Sequence, residues 1–459
     1  MSDDRPLLIV ILAAGKGTRM KSSKPKVLHK IAGRSMLGHV LSLAGALRAT
    51  NTAVVIGPGM DDVRADALAH APEAKVFVQE NQKGTADAVL AAREAIAAHS
   101  GDVLVLFADT PLTRKQSLEA IRGALEQGSG IAVLGFEADD PTGYGRLLTD
   151  GSDALLAIRE HKDASPNELE IRLCNSGVMG FRVGDLIGLL ERIGNDNAKG
   201  EYYLTDAIET AAADGVRAAV VTCDEEEVLG VNSRDHLAVA EGIWQSRART
   251  EAMLSGVTMV APETVWLSFD TVLGRDVVLE PNVFIGAGVN IADNVRIRAN
   301  SYLEGADAKS NAGVTVEEGA QVGPFARLRP GTTLGRDVSI GNFVEIKNAA
   351  MEQGSKASHL TYVGDARVGA AANIGAGTIF CNYDGFNMNR SDVGAGVFIG
   401  SNSALVAPVK IGEGAYIAAG STITQDVQSQ SLAIGRAFQT EKLGWVVQSK
   451  EKMIKEKSG

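Results

Sequence analysis

The sequence predicts two folded parts of different class: an α/β domain with a mostly parallel sheet over residues 1–232 and a coil of hexapeptide repeats over 254–459, joined by a helical connector at 233–253. Three observations carry this reading. In the first half, short apolar runs alternate with longer helix-forming stretches. In the second, aliphatic residues recur every six positions. Glycine is also abundant, 51 of 459 residues beside only 12 prolines, which asks for repeated tight turns without collagen-like or low-complexity character.

The apolar runs of the first half are Leu7 to Ala14, Ala53 to Gly57, Ala74 to Gln79, Asp102 to Asp109, Ile131 to Glu137 and Arg217 to Cys223. Their continuous hydrophobicity suits strands buried on both faces of a parallel sheet. Between them, Thr85 to His99 has the Ala, Leu and Glu content of a helix packed on that sheet. Ligands of such a fold lie beyond the carboxyl ends of the strands. Residues 234 to 253 contain no Pro and a single Gly and read as one helix.

Beyond the connector the pattern changes. Leu273, Leu279, Ile285, Ile291, Ile297 and Leu303 stand six apart, as do Val316, Val322, Leu328, Leu334, Ile340 and Ile346, and then Val393, Ile399, Leu405, Ile411, Ile417 and Ile423. A period of six fits a chain that turns a corner every six residues and closes a triangular coil, each coil burying its faces against those above and below. Val277, Val283, Val289 and Val295 point inward as well. The breaks at Leu303–Val316 and Phe380–Val393, and the stretch Asn348 to Thr361, are expected to be loops ejected from the rod, where function concentrates.

Composition excludes several classes. With 45 Lys+Arg against 56 Asp+Glu, a net charge of −11 argues against a nucleic-acid binder that works by bulk positive charge. An apolar content of 45% with 22% charged residues supports a sizeable core rather than disorder. Cys174, Cys223 and Cys381, far apart and odd in number, form no disulfide framework and no Cys-x-x-Cys metal pattern, which fits a reducing cytoplasm. The run Leu7 to Ala14 follows an acidic opening and is too short for a signal segment or a membrane span, so the expectation is a cytoplasmic protein without membrane association.

Two places in the first half carry chemistry. The segment Leu12 to Met20 follows the first strand, and its glycines let backbone N–H groups approach a phosphate. It is neither a dinucleotide fingerprint nor a P-loop. Lys16, Arg19, Lys21, Lys24 and Lys26 lie close together with no acid among them, so this acidic chain concentrates positive charge at one loop suited to a polyphosphate. Asp109 ends an apolar strand, where a carboxylate can hold a hard divalent cation, and Asn232 could offer a second oxygen. In the second half the repeats hold one of the chain's seven histidines, His359. A coil of about 18 residues brings it near Arg329, Lys347 and Tyr362, residue types that bind a sugar phosphate. Cys381 reads as a packed corner residue rather than a nucleophile.

Several ordered segments resemble a known family. Leu12-Ala-Ala-Gly-Lys-Gly-Thr-Arg-Met20 with Lys24-Pro-Lys26, Gln79, Gly84-Thr85, Pro141 to Arg146, Glu160 to Asp163, Asn175, Gly200 to Asp206 and Gly230-Val-Asn232 are similar to the bacterial sugar-nucleotide pyrophosphorylases. More narrowly they resemble the uridylyltransferase half of the bifunctional N-acetylglucosamine-1-phosphate uridylyltransferase/glucosamine-1-phosphate acetyltransferases. Arg327 to Gly331, Gly341 to Lys347, Ser358 to Asp365, Asn373 to Gly377, Cys381 to Gly385 and Ile434 to Arg436 resemble the acetyltransferase half.

The resemblance implies a Rossmann-like nucleotidyltransferase domain followed by a left-handed parallel β-helix that assembles as a homotrimer, with acetyl-transfer sites shared between subunits. It implies that Leu12, Ala13, Ala14, Gly15, Gln79, Gly84 and Thr85 hold the uridine nucleotide, with Arg19 and Lys26 neutralising phosphate charge. Gly145, Glu160 and Asn175 would hold the sugar, and Asp109 and Asn232 Mg²⁺. His359 would be the general base of acetyl transfer, suited by an imidazole pKa near working pH. Arg329, Lys347, Tyr362, Asn373, Asn382 and Tyr383 would hold the sugar phosphate, and Ala376, Ser401, Ala419 and Arg436 would line acetyl-CoA. The implied substrates are glucosamine-1-phosphate, N-acetylglucosamine-1-phosphate, UTP and acetyl-CoA, and the product UDP-N-acetylglucosamine feeds peptidoglycan and lipopolysaccharide synthesis. One departure is Phe107-Ala108-Asp109, where relatives often carry Tyr-Gly-Asp. Two other readings stay open on sequence: a nucleotidyltransferase for another sugar phosphate whose repeats only regulate, and repeats that serve as a trimerisation rod without chemistry.

Overall fold

The computed structural model describes residues 5–150, 154–182, 184–306 and 312–458. The chain divides into two compact units between Ala248 and Arg249, within the helix Arg234–Leu254.

In the first unit, β1 (Leu7–Leu12), β2 (Asn51–Ile56), β3 (Lys75–Val78), β4 (Asp102–Phe107), β5 (Ile131–Glu137), β6 (Arg146–Thr149), β7 (Leu155–Arg159), β8 (Leu173–Phe181) and β9 (Ala218–Thr222) form one sheet. Its main order is β9-β5-β8-β4-β1-β2-β3, with β6 and β7 as a hairpin paired to β8. β1 lies between β2 and β4, parallel to both, and each of its six residues is buried. Burial of such an aliphatic side chain stabilises the fold by about 1.5–3 kcal/mol, so this strand sits firmly at the sheet centre. The loops after β1 and β4 therefore leave the same edge from adjacent strands.

Two details depart from the sequence reading. β8 runs antiparallel between β4 and β5, although Asn175, Ser176 and Gly177 interrupt its apolar character. Thr85 to His99 is two helices, Thr85–Ala91 and Arg93–Ala97, broken at Ala92.

In the second unit, short parallel strands stack into a β-helix. One face is a ten-stranded parallel sheet running from Thr258–Met259 to Leu432–Ala433, and the other two faces join in a fourteen-stranded sheet. Equivalent residues such as Val278 and Arg296, or Phe284 and Tyr302, pair one coil apart. Every hexad aliphatic except the half-buried Leu273 is buried, as are Val277, Val283, Val289 and Val295.

The expected loop from Asn348 to Thr361 is a correction. The strands Glu345–Met351 and Lys356–His359 carry the coil straight through it. Ser339 pairs with Lys356 and Lys356 with Asn373, steps of 17 rather than 18 residues. The hexad count fails because the interior there is filled by Ala349, Met351 and Ala357, all buried, and because the coil is one residue shorter. The break at Phe380–Val393 is a loop, with Phe386 almost fully exposed. The break at Leu303–Val316 falls partly on residues 307–311, outside those described. A helix, Trp445–Ser458, follows the last coil.

Candidate active sites

In the first unit, a cleft of about 350 Å³ opens at the carboxyl ends of β1 and β4. Leu12, Ala13, Ala14 and Gly15 leave β1 along its floor, with Lys26, Gln79, Gly84, Thr85, Phe107 and Asp109 around it. Gln79 is buried, and its side-chain amide donates to the Gly84 carbonyl at 2.9 Å and to Asp87 at 2.8 Å. Gly84 has a φ of +121°, and a Cβ on it would stand 2.4 Å from the Tyr202 carbonyl oxygen. Only glycine fits there, because that region of φ/ψ excludes side chains and the backbones nearly touch. Thr85 Oγ1 accepts from the Leu204 N–H at 2.9 Å. Of the predicted cations, Lys16 and Lys26 line the cleft; Arg19 is exposed on the turn Thr18–Met20 and does not.

Asp109 follows β4, and its carbonyl accepts from the Val231 N–H at 2.8 Å, which brings Asn232 alongside. The Lys26 ammonium pairs with the Asp109 carboxylate and donates to Asn232 Oδ1 at 3.0 Å. Gly17, at φ +62°, leaves room for the Lys26 stem, since a Cβ on it would lie 2.4 Å from Lys26 Cβ. One carboxylate and one amide oxygen converge where a positive charge is already accommodated. That hard-oxygen pair fits a divalent cation whose remaining ligands are phosphate oxygens and water. Among the described residues no group of three His, Cys, Asp or Glu side chains is placed to hold a metal unaided.

Gly145, Glu160 and Asn175 also come together: a Cβ on Gly145 would lie 3.5 Å from Glu160 Oε1 and 3.6 Å from Asn175 Cβ, and the Asn175 N–H donates to the Gly145 carbonyl at 2.8 Å. A bulge in β8 between Asn175 and Met179 turns this strand, and a Cβ on Gly177 would meet the Phe107 ring at 2.8 Å. Burial pushes the Glu160 carboxyl above its ordinary range against the pull of Lys199. Nearby, burial and the charges of Glu209 and Glu160 raise Asp206 to about 6. Gln82, which the sequence reading missed, lines the cleft and donates to the Ala14 carbonyl at 2.7 Å. No local pattern marks it; only chain closure brings it to the loop.

In the second unit the predicted residues fall into two groups. The first is a column. Asn342 and His359 are register partners on successive coils. The register carries on through Ala376, Ser401 and Ala419, with the Asn402 N–H donating to the Ala376 carbonyl at 2.7 Å and the Gly420 N–H to that of Ser401 at 2.8 Å. Arg436 is exposed, its Cδ 3.8 Å from where a Gly420 Cβ would lie. His359 is exposed, and its Nδ1 lies 2.6 Å from Asn342 Oδ1.

The second group centres on Asp365, which sequence reading quoted without a role. Its carboxylate accepts from Asn348 at 2.6 Å, from the Asn382 amide and from Lys347 at 3.4 Å. Burial pushes its pKa up, yet these donors hold it below the ordinary carboxylate range. Asn382 also reaches Tyr362 Oη at 3.3 Å. Arg329 pairs with Glu345 at 2.9 Å and lies 3.6 Å from Glu304. Asn373 points outward from the ten-stranded face, and Tyr383 is exposed on the loop, donating to the Gly385 carbonyl at 2.7 Å. Cys381 is half-buried, its Sγ 3.9 Å from the Ile379 carbonyl.

Comparison with known proteins agrees with both halves. The MobA-like NTP transferase domain matches residues 9–166, and the bacterial transferase hexapeptide family matches residues 270–305, 313–348 and 390–425. The bifunctional protein GlmU of Azorhizobium caulinodans is 57% identical over 96% of this chain and 97% of its own. That of Agrobacterium fabrum is 50% identical over 98% and 97%, and that of Zymomonas mobilis 47% identical over 99% and 100%. The chain belongs to the GlmU family, bifunctional transferases of UDP-N-acetylglucosamine synthesis that join a nucleotidyltransferase domain to a left-handed β-helix of hexapeptide repeats.

Proposed function

We propose that this chain makes UDP-N-acetylglucosamine from glucosamine-1-phosphate by two transfers at separate sites, acetylation in the β-helix and uridylylation in the α/β unit. In the first, the sugar amine attacks the thioester carbonyl of acetyl-CoA: the C–N bond forms, the C–S bond breaks, and His359 takes the amine proton and passes it to the departing sulfur, so that CoA leaves as the thiol. Arg329, Lys347, Tyr362, Asn382, Tyr383 and Asn373 hold the sugar phosphate, and the Ala376, Ser401, Ala419 and Arg436 column lines acetyl-CoA. A thioester is reactive enough that neither a metal nor an acyl-enzyme is needed. The observation that carries this site is the column, because it sets an exposed imidazole in line with small side chains next to a cluster of anion-binding donors.

In the second transfer, the phosphate oxygen of N-acetylglucosamine-1-phosphate displaces pyrophosphate from the α-phosphorus of UTP. Asp109 and Asn232 would hold Mg²⁺, which would supply neutralisation of phosphate charge for this in-line displacement. Leu12 to Gly15 present backbone to the phosphates, Lys26 adds positive charge at the cleft and Arg19 adds it from the exposed turn outside the lining, Gln79, Gly84 and Thr85 seat the base, and Gly145, Glu160 and Asn175 grip the sugar. Positioning of two mutually repelling anions is the main task, and no covalent nucleophile is required.

The working protein is a cytoplasmic homotrimer whose acetyl sites lie between subunits. The stack of exposed Phe284 and Tyr302, centroids 4.6 Å apart and adjoining Trp266, is surface that a neighbouring copy would cover. No helix among the described residues is long and apolar enough to cross a membrane. The test is incubation with glucosamine-1-phosphate, acetyl-CoA, UTP and Mg²⁺, omitting each in turn and reading products by mass. His359→Ala abolishes acetylation and spares uridylylation; Asp109→Ala and chelation of the metal do the reverse. Acetyl transfer near the parent rate in His359→Ala removes the second site from the account.

A further inference from the structure

We propose that Asn342 is a positioning residue for acetyl transfer, whose side-chain oxygen accepts the Nδ1 hydrogen of His359 and so leaves Nε2 unprotonated for the sugar amine. The inference rests on His359 being the base, and it adds what fixes that base. Neutral imidazole carries one hydrogen on either nitrogen, and the choice belongs to whatever the other nitrogen bonds. Here the partner is Asn342 Oδ1, at 2.6 Å from Nδ1.

The backbone sets up this contact. Asn342 ends the strand Ser339–Asn342 and His359 ends Lys356–His359, and the two are register partners. Side chains at equivalent positions of adjacent parallel strands project in the same direction, about 4.8 Å apart, within reach of a side-chain hydrogen bond. The next residue of each strand, Phe343 and Leu360, takes the left-handed conformation that turns the corner, φ +55° and +51°. The Leu360 N–H also donates to the Asn342 carbonyl at 3.0 Å, tying the two corners together. A Cβ on Gly341 would fall 1.9 Å from the Ser358 carbonyl oxygen, so the coils lie as close as backbones allow just before the pair. Asn342 heads the column that continues through His359 to Ala376, Ser401 and Ala419.

Three of the cations on the packed coils are already engaged elsewhere. Arg298, in the cleft beside His359, donates to Gln321 at 2.8 Å. Arg329 pairs with Glu345 and Lys347 with Asp365, while Lys356 sits exposed on the strand of His359 itself. Among the described residues no carboxylate lies within ion-pair distance of the ring, so a neutral amide fills the place that a carboxylate takes in a His–carboxylate pair. The amide orients the ring and supplies only a dipole to the imidazolium formed on proton transfer. The opposite amide orientation would put the hydrogen on Nε2, which could not then take a proton; aspartate, which only accepts, separates the two.

The experiment follows acetyl transfer from pH 5 to 9 in the full chain, with uridylyl transfer by the same preparation reporting folding. Asn342→Leu is expected to lower kcat about 10- to 100-fold, with the KM for glucosamine-1-phosphate within about twofold of the parent. Asn342→Asp keeps the acceptor, retains most of the rate and moves the acid limb of kcat/KM up by about one pH unit through the added charge. Parent rate and acid limb in Asn342→Leu, or an unmoved acid limb in Asn342→Asp, overturns the proposal. If Asn342→Leu fails to fold, Asn342→Asp decides alone. Failure of the underlying reading looks different: His359→Ala itself would then acetylate.

Discussion

Replacing Gly84 by alanine tests how tightly the nucleotide cleft is built. The new Cβ would lie 2.4 Å from the Tyr202 oxygen and 2.7 Å from its nitrogen, while ordinary contact begins at 3.4 Å, so the two backbones must part by about 1 Å. The segment cannot give way freely. The Ala86 N–H donates to the Tyr202 carbonyl at 3.0 Å and the Tyr202 N–H to the Lys83 carbonyl at 2.8 Å, so opening the gap strains both bonds. The φ of +121° adds about 1–3 kcal/mol of backbone strain for any residue with a side chain. Displacing a substrate-positioning loop by about 1 Å can cost roughly 10²-fold in rate, about 2.7 kcal/mol of transition-state stabilisation. The expected result is therefore a fall of that order in kcat/KM for pyrophosphate release from UTP and N-acetylglucosamine-1-phosphate. Acetyl transfer by the same protein stays within about twofold of the parent. A Gly84→Ala protein that uridylylates within about threefold of the parent refutes the claim that this contact positions the cleft.

Three further outcomes can be checked by unfolding. Asp102 is fully buried, bonded to Arg182 at 2.7 and 2.8 Å with Arg5 and Arg122 nearby; Asp102→Ala should destabilise the α/β unit by about 3 kcal/mol in urea. Burial pushes its pKa up but Arg182 holds it below the ordinary range, so its stabilisation is complete above the unfolded value near pH 4 and disappears as pH falls through the lower folded value; a parent whose acid unfolding matches that of Asp102→Asn contradicts this. Asp206 has the opposite sign. Burial and its acidic neighbours raise it to about 6, so its ionisation destabilises progressively as pH rises from about 4 through 6, and Asp206→Asn should gain about 1 kcal/mol at pH 7, allowing for screening, and nothing at pH 4. Equal gains at the two pH values would count against it. Phe380 is fully buried inside the coil, and Phe380→Ala should cost about 3–5 kcal/mol of β-helix stability by guanidinium denaturation, whereas a loss under 1 kcal/mol would mean the cavity collapses.

What the sequence made legible follows from which interactions are local. Consecutive buried residues such as those of Leu7–Leu12 announce a central strand because both neighbours are parallel and both faces are covered. The hexads announce the coil because the chain repeats the same turn. β8 was not visible, since its place between β4 and β5 is set by pairing across the sheet while its own Asn, Ser and Gly argue against a strand. Asn348 to Thr361 misled for the related reason that alanines replace the aliphatic signal inside a shortened coil. In the sites, residues belonging to ordered motifs were nameable, and most of them converge. Gln82, Asn342 and the hub formed by Asp365 were given no role because their meaning depends on the side chain one coil or one loop away.

The shortened coils around His359 bear on how such a rod can change length without losing its chemistry. Excising one whole winding would leave every later corner aimed as before. Excising a single hexad would keep inside residues inside yet swing everything downstream by a third of a revolution. A winding that drops one residue at a corner, as between Ser339 and Asn373, does neither: it keeps Asn342 and His359 in register with one residue fewer in the turn. Small indels in this architecture should accordingly be tolerated at corners and resisted along the flat sides.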